Sequence, residues 1–138
     1  MAKMTLNPAP ADTGIRFRRI DIGENAYIDA LADNVSSTAR SATISYGKAS
    51  VTTIEHVLSA LTGMGVDNAV IDIDNVEVPI LDGSAKPYIE AIWPDGFVEQ
   101  EAPRKYIEIS ETIEIATEAK GSLVRIEPAE EFSYDLQI

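Results

Sequence analysis

Hydrophobic and polar residues alternate with period two along most of the chain before residue 82, and this pattern predicts β-strands with one buried face. Gly47-Lys48 separates two such runs and predicts the turn of a hairpin. Residues 36–41 are polar and predict a loop. The strands predicted here cover residues 3–7, 15–22, 27–31, 42–46, 49–51, 67–74 and 76–81.

Residues 52–61 change to a helical period and predict the first helix. Thr52, with Glu55 three residues later, matches the capping box that often starts a helix. Gly63 and Gly65 supply stop signals. Four apolar residues share one side of this helix: Ile54, Val57, Leu58 and Leu61.

A second helix is predicted from Ala85 to Trp93. Asp82-Gly83 predicts the turn before it, and Ser84 predicts its cap. Pro87 falls in the first turn, where the N–H that proline lacks is not needed. The side chains expected in the core are Tyr88, Ile89, Ile92 and Trp93.

After residue 104 the period-two alternation returns without any helical segment. The strands predicted there cover residues 106–109, 112–115, 123–126 and 132–138. Strands followed by helix, strand, helix and more strands are typical of an α+β fold. We expect a mixed or mainly antiparallel sheet with two helices packed on one face.

Composition and charge narrow the classes of function. The chain of 138 residues has a formal net charge of -12 and no cysteine. Because phosphate binding needs a basic face, a nucleic-acid partner is not expected, and Arg16, Arg18 and Arg19 are predicted on a solvated strand face. Disulfides and thiolate metal sites are excluded. No run approaches the roughly 18 apolar residues of a membrane span, and no signal peptide is visible.

Glu55 and His56 are the strongest candidates for chemistry. They lie side by side in the first turn of the first predicted helix and fall outside its apolar stripe, whereas a core histidine would lie within it. An imidazole can bind a metal, and a neighbouring carboxylate can act as a general base. One histidine cannot hold a catalytic zinc, which usually has three protein ligands. On the residues alone, Glu55 as part of a cap and His56 as a surface residue remain the alternative.

Three segments of the chain carry a distinctive set of residues, which in chain order are Thr52-Thr53-Ile54-Glu55-His56-Val57-Leu58-Ser59-Ala60-Leu61, Gly65-Val66-Asp67-Asn68 and Glu77-Val78-Pro79-Ile80-Leu81-Asp82-Gly83-Ser84-Ala85-Lys86-Pro87-Tyr88. Together they resemble the N-terminal domain of the UDP-3-O-acyl-N-acetylglucosamine deacetylase family. The family is also similar to an earlier part of the chain, Leu6-Asn7-Pro8-Ala9-Pro10-Ala11-Asp12-Thr13-Gly14 followed by Phe17-Arg18-Arg19.

The resemblance implies a bacterial, cytoplasmic, zinc-dependent hydrolase of lipid A biosynthesis, built from two similar α+β domains. Such enzymes remove the acetyl group from the amino sugar of a UDP-linked, acylated substrate. By this resemblance His56 is a zinc ligand, and Glu55 is the general base that acts on the attacking water. Residues 38–43 fall where the family lines its substrate entrance, although the resemblance assigns them no individual roles.

The family's other zinc ligands lie in a His-Lys-x-x-Asp motif that these residues do not contain. We therefore expect residues 1–103 to be a truncated first domain whose opening strand is missing, and residues 104–138 to be strands leading toward a second domain. The remaining zinc ligands would lie outside the chain, which should be inactive alone. Unpaired strand edges also predict a dimer. The alternative function is a non-catalytic α+β binding or assembly module.

Overall fold

The computed structural model describes residues 2–117 and 121–137, and the chain divides into two units, residues 1–103 and 104–138. In the first unit, short 3-10 turns at Ala32–Asn34 and Trp93–Asp95 accompany the longer elements. The strands and helices of that unit are β1 (Met4–Pro8), β2 (Ile15–Arg19), β3 (Tyr27–Asp29), β4 (Val35–Ser37), β5 (Thr43–Tyr46), β6 (Ala49–Thr52), α1 (Glu55–Met64), β7 (Ala69–Ile73) and α2 (Lys86–Ile92). The second unit contributes β8 (Ile113–Thr117) and β9 (Ser122–Ile126).

Four strands form a mixed sheet in the order β1-β7-β2-β3. β7 runs antiparallel to β1 and parallel to β2, and β2 runs antiparallel to β3. In β7, Ala69, Ile71 and Ile73 are buried, whereas Val70 and Asp72 on the other face are only partly buried. The predicted alternation therefore corresponds to one core-facing side of the sheet.

β4, β5 and β6 form a separate antiparallel sheet. The predicted hairpin is confirmed, because Tyr46 pairs with Ala49 across the two-residue turn Gly47-Lys48. Gly47 has φ of 58°, a conformation that a hairpin turn of this length requires and that glycine adopts without steric cost. At the far end of this hairpin, Thr43 pairs with Thr52 directly before α1.

One hydrophobic core joins both sheets of the first unit to the helices. Val57, Ala60 and Leu61 of α1 are buried in it, together with Tyr88 of α2. The sheet residues that complete this core are Phe17, Ile28, Ile44, Ala49, Val51, Ile71 and Ile73. The α+β prediction is confirmed.

Four predicted segments differ from the structure. Residues 36–37, predicted as loop, belong to β4. Residues 76–81 form no strand, and a single bridge joins Thr52 to Glu77. Within the described part of the second unit, residues 106–109 and 132–137 also lie outside the strands, and residue 138 lies outside the described residues. A segment with alternating hydrophobic and polar residues forms a strand only where another segment pairs with it.

The prediction that Trp93 lies in the core with α2 is wrong. The α-helix ends at Ile92, and Trp93 begins a 3-10 turn that contains Pro94. Its side chain is 63% exposed, and its ring meets Phe97 edge-on with centroids 5.6 Å apart. The turn changes the angle per residue, so the helical spacing no longer applies to Trp93.

All three arginines of β2 form ion pairs, and Arg16 and Arg18 are partly exposed, whereas Arg19 is buried, contrary to the prediction of a solvated face. Arg18 binds both carboxylate oxygens of Asp72, and Arg16 pairs with Asp29. Arg19 is buried, and its guanidinium donates to Asp21 and to the carbonyl of Ser50.

Among the described residues, no helix is long and apolar enough to cross a bilayer.

Candidate metal and base site at the start of helix α1

Strand β6 leads into α1 through two residues, and this junction places the candidate side chains. Thr53 has φ of 62° and is buried with 5% of its surface exposed, and Ile54 is the N-cap of the helix. α1 then begins at Glu55, so that Glu55 and His56 are its first two residues. The predicted position of the pair in the first turn is confirmed.

Thr52 is held on both sides at the end of β6. Its N–H donates to the carbonyl of Val76 at 2.9 Å, and its own carbonyl accepts from the N–H of Val78 at 3.1 Å. Its hydroxyl accepts from Thr43 at 2.8 Å and lies 3.0 Å from the hydroxyl of Ser41. These bonds fix the backbone from which α1 departs.

Glu55 is oriented by a neighbouring strand segment. One carboxylate oxygen, Oε2, accepts a hydrogen bond of 3.0 Å from the backbone N–H of Ala42. A carboxylate in the first turn is also favoured by the partial positive charge at the helix N-terminus.

The predicted capping box is wrong. Thr52 lies in β6, and its hydroxyl bonds to Ser41 and Thr43 rather than to the helix. No side chain caps the N-terminus at Ile54, and Glu55 bonds to Ala42 instead of turning back to Thr52. The backbone N–H of Thr52, which Glu55 would accept from in a capping box, donates to the carbonyl of Val76 instead. The carboxylate of Glu55 therefore points toward Ala42, outside its own helix.

His56 is half-buried and lies beside Glu55, outside the buried residues of α1. Neither ring nitrogen has a hydrogen-bond or ion-pair partner within the described ranges, and no buried nitrogen or oxygen there is left unpartnered. Both ring nitrogens therefore reach the surface. An accessible, uncommitted imidazole is a suitable metal ligand.

The described residues do not assemble a complete zinc site. No three histidine, aspartate or glutamate side chains among them lie close enough together to hold a metal ion. The donor chemistry of His56 fits one position of a zinc site, whereas catalytic zinc usually has three protein ligands. Two ligands would have to come from elsewhere.

Sequence reasoning missed two groups that shape this site. Glu77 accepts a hydrogen bond of 3.1 Å from the hydroxyl of Thr53, and the N–H of Ala42 holds Glu55. A backbone N–H leaves no signature in the sequence. Thr53 was also unexpected, because a β-branched residue rarely adopts positive φ.

The sequence of the chain is similar to one family of known proteins. The family model of UDP-3-O-acyl N-acetylglycosamine deacetylase (LpxC) matches residues 1–138. The UDP-3-O-acyl-N-acetylglucosamine deacetylase of Thioalkalivibrio sulfidiphilus is 44% identical over 133 residues, which make up 96% of this chain and 43% of that protein.

Two further relatives extend the comparison. The bifunctional enzyme LpxC/FabZ of Porphyromonas gingivalis is 44% identical over 135 residues, covering 98% of this chain and 29% of that protein. The UDP-3-O-acyl-N-acetylglucosamine deacetylase of Pseudomonas entomophila is 49% identical over 106 residues, covering 77% of this chain and 35% of its own length. The chain thus spans less than half the length of these relatives.

Proposed function

Because the chain belongs to the UDP-3-O-acyl N-acetylglycosamine deacetylase family, we propose that it supplies the general base and one zinc ligand of such an enzyme. The reaction is hydrolysis of the acetamide of a UDP-linked, acylated amino sugar, in lipid A biosynthesis as the resemblance implies. The observation that carries the proposal is the adjacent position of Glu55 and His56 at the start of α1, with neither residue in the core.

Glu55 acts as the general base. Its Oε2 is occupied by the N–H of Ala42, which orients the carboxylate and leaves Oε1 to accept a proton from the attacking water. The water oxygen adds to the acetyl carbonyl carbon as Glu55 takes one of the water protons. The C–N bond breaks as the amide nitrogen takes up that proton, which gives an amine and acetic acid. The acid passes its remaining proton to the amine or to solvent and leaves as acetate.

His56 provides one ligand to zinc through its accessible imidazole. His56, together with two ligands from outside these residues, would hold the ion, which when bound would supply Lewis-acid activation of the carbonyl and of water. We propose that residues 1–103 form the first domain of the enzyme and that residues 104–138 lead toward a second. A cytoplasmic setting and dimer formation through exposed strand edges stay predictions.

The experiment compares Glu55→Gln and His56→Ala in the full-length protein, with acetate release and bound zinc as the measurements. We expect Glu55→Gln to lower kcat by about 10²–10⁴-fold while zinc is retained, since a general base contributes about that much. His56→Ala should lose both zinc and turnover. Thr62→Ala, an exposed residue in the last turn of α1, serves as the control and should keep both.

The 138-residue chain tested alone should release no acetate, because it contributes one of three ligands. Zinc-dependent turnover by this chain, or full activity of both site variants in the full-length protein, would show that the assignment is wrong. In the second case, a non-catalytic module with Glu55 and His56 as ordinary surface residues would be the better description.

A further inference from the structure

Thr53 has a backbone conformation that its own chemistry disfavours. Its φ of 62° lies in the left-handed region, where a β-branched side chain is an outlier. Thr53 is also buried, two residues before Glu55. A strained conformation of this kind persists only where surrounding contacts hold it, and such residues cluster at functional sites.

The contacts that hold Thr53 come from residues 76–78. The hydroxyl of Thr53 donates to Oε1 of Glu77 at 3.1 Å. On either side of Glu77, Val76 and Val78 bond to the backbone of Thr52 at 2.9 and 3.1 Å. Residues 76–78 therefore hold two consecutive residues of the β6–α1 junction, one through its backbone and the next through its side chain.

The conformation of Thr53 sets the direction in which α1 leaves the sheet. A rotation of about 30° at Thr53 would move a group about 6 Å further along by about 3 Å, given ordinary backbone dimensions. The 3.0 Å bond between Glu55 and the N–H of Ala42 would not survive a displacement of that size. His56 is attached to the same turn and would move with Glu55.

Building on the proposed function, we propose that Thr53 and Glu77 are positioning residues that aim Glu55 and His56. Neither residue needs to touch the substrate or the metal. The Thr53 hydroxyl holds a disfavoured backbone angle through Glu77, and that angle places the carboxylate against Ala42 and the imidazole beside it.

Thr53→Val tests this in the 138-residue chain, because valine keeps the shape of threonine and removes the hydroxyl. We expect hydrogen exchange at the Ala42 amide to become about tenfold faster, since its acceptor moves away. Because the chain has a single histidine, the imidazole C–H NMR signals belong to His56 without ambiguity, and they should shift. Thr53→Ser keeps the hydroxyl, so the Ala42 exchange rate and the His56 signals should stay as in the parent chain.

Two further variants separate positioning from general weakening of the fold. Glu77→Ala removes the acceptor from an exposed position, so it should fold and reproduce the Thr53→Val effects, whereas Glu77→Gln retains an acceptor oxygen and should rescue. Ser36→Ala removes a 2.8 Å hydroxyl contact to Ser45 on the neighbouring strands. This control should leave the exchange rate of the Ala42 amide and the NMR signals of His56 unchanged.

In the full-length protein, Thr53→Val and Glu77→Ala should lower kcat by about 10²-fold with little change in KM, as expected for a misplaced catalytic group. Unchanged Ala42 exchange, an unchanged His56 signal and kcat within twofold would overturn the positioning role. If the unmodified full-length protein releases no acetate, the proposed function fails, whereas the measurements at Ala42 and His56 still decide whether Thr53 and Glu77 position the pair.

Discussion

Residues 1–103 and residues 104–138 carry similar alternation of hydrophobic and polar residues, yet only the first unit turns that alternation into a core. β7 of the first unit buries every second residue, from Ala69 to Ile73. In β8 and β9 every residue is exposed, including Ile115 at 67% and Val124 at 71%. None of the described residues from 104 to 137 is buried.

The two units differ because a sheet face needs a second layer before it can be buried. α1 and α2 provide that layer in the first unit, and their side chains join those of two sheets in one cluster. β8 and β9 pair only with each other among the described residues. A two-stranded hairpin is marginal in water by itself, so side chains of the same type should contribute very different stabilities in the two units.

The largest difference is expected for phenylalanine. Phe17 is fully buried in the core, whereas Phe132 is 95% exposed. Phe17→Ala should lower the free energy of unfolding by about 3–5 kcal/mol, because it removes buried surface and leaves a cavity. Phe132→Ala should change it by less than about 0.5 kcal/mol. Urea unfolding followed by far-UV circular dichroism measures both, and equal losses would contradict the contrast.

A smaller difference is expected for two arginine ion pairs. Arg19 is buried and bonds to Asp21 and to the Ser50 carbonyl, whereas Arg125 and Glu127 form an exposed pair. Arg19→Leu should cost about 2 kcal/mol, since it strands the partners of a charged donor. Arg125→Leu should cost less than about 1 kcal/mol, as is usual for surface pairs. Urea midpoints at neutral pH compare the two variants.

The stability contributed by the Arg19–Asp21 pair should also depend on pH. Hydrogen bonding from Arg19 lowers the pKa of Asp21 below its ordinary value. The stability from this pair is therefore fully present above pH of about 4 and is lost as the pH falls through the lowered pKa. Arg19→Leu should lose part of the acid sensitivity of unfolding. A variant as acid-sensitive as the parent would count against the pair.

The smallest difference concerns two tyrosines. Tyr88 is 4% exposed and donates its hydroxyl to the carbonyl of Pro79, whereas Tyr134 is 85% exposed. Tyr88→Phe should cost about 1 kcal/mol, the usual net value of a hydrogen bond, and Tyr134→Phe should be nearly neutral.

Burial also raises the pKa of Tyr88. The related stability is present below pH of about 10 and is lost as the pH rises through the raised pKa. Thermal unfolding between about pH 9 and about pH 11, roughly one unit to either side of the ordinary tyrosine pKa, should show a steeper alkaline loss for the parent than for Tyr88→Phe. Parallel curves would mean that Tyr88 does not titrate with unfolding.

Much of the fold was predictable because periodicity is a local property. The hairpin of β5 and β6, the strand β7 and the start of α1 near Glu55 all follow from side-chain spacing over a few residues. The same spacing placed Glu55 and His56 outside the apolar stripe, where the structure has them. The resemblance of residues 52–61 to a deacetylase family came from the sequence as well, and the family match across the chain confirms it.

Contacts between distant segments decided the rest. The bond from Ala42 to Glu55 spans 13 residues, and that from Thr53 to Glu77 spans 24. The capping box failed at this point, because Thr52 had partners in the sheet that no local pattern reveals. By itself the sequence determined which residues face outward at the start of α1. Only the tertiary structure decided what holds them there, since a strained Thr53 is stable only once residues 76–78 lie beside it.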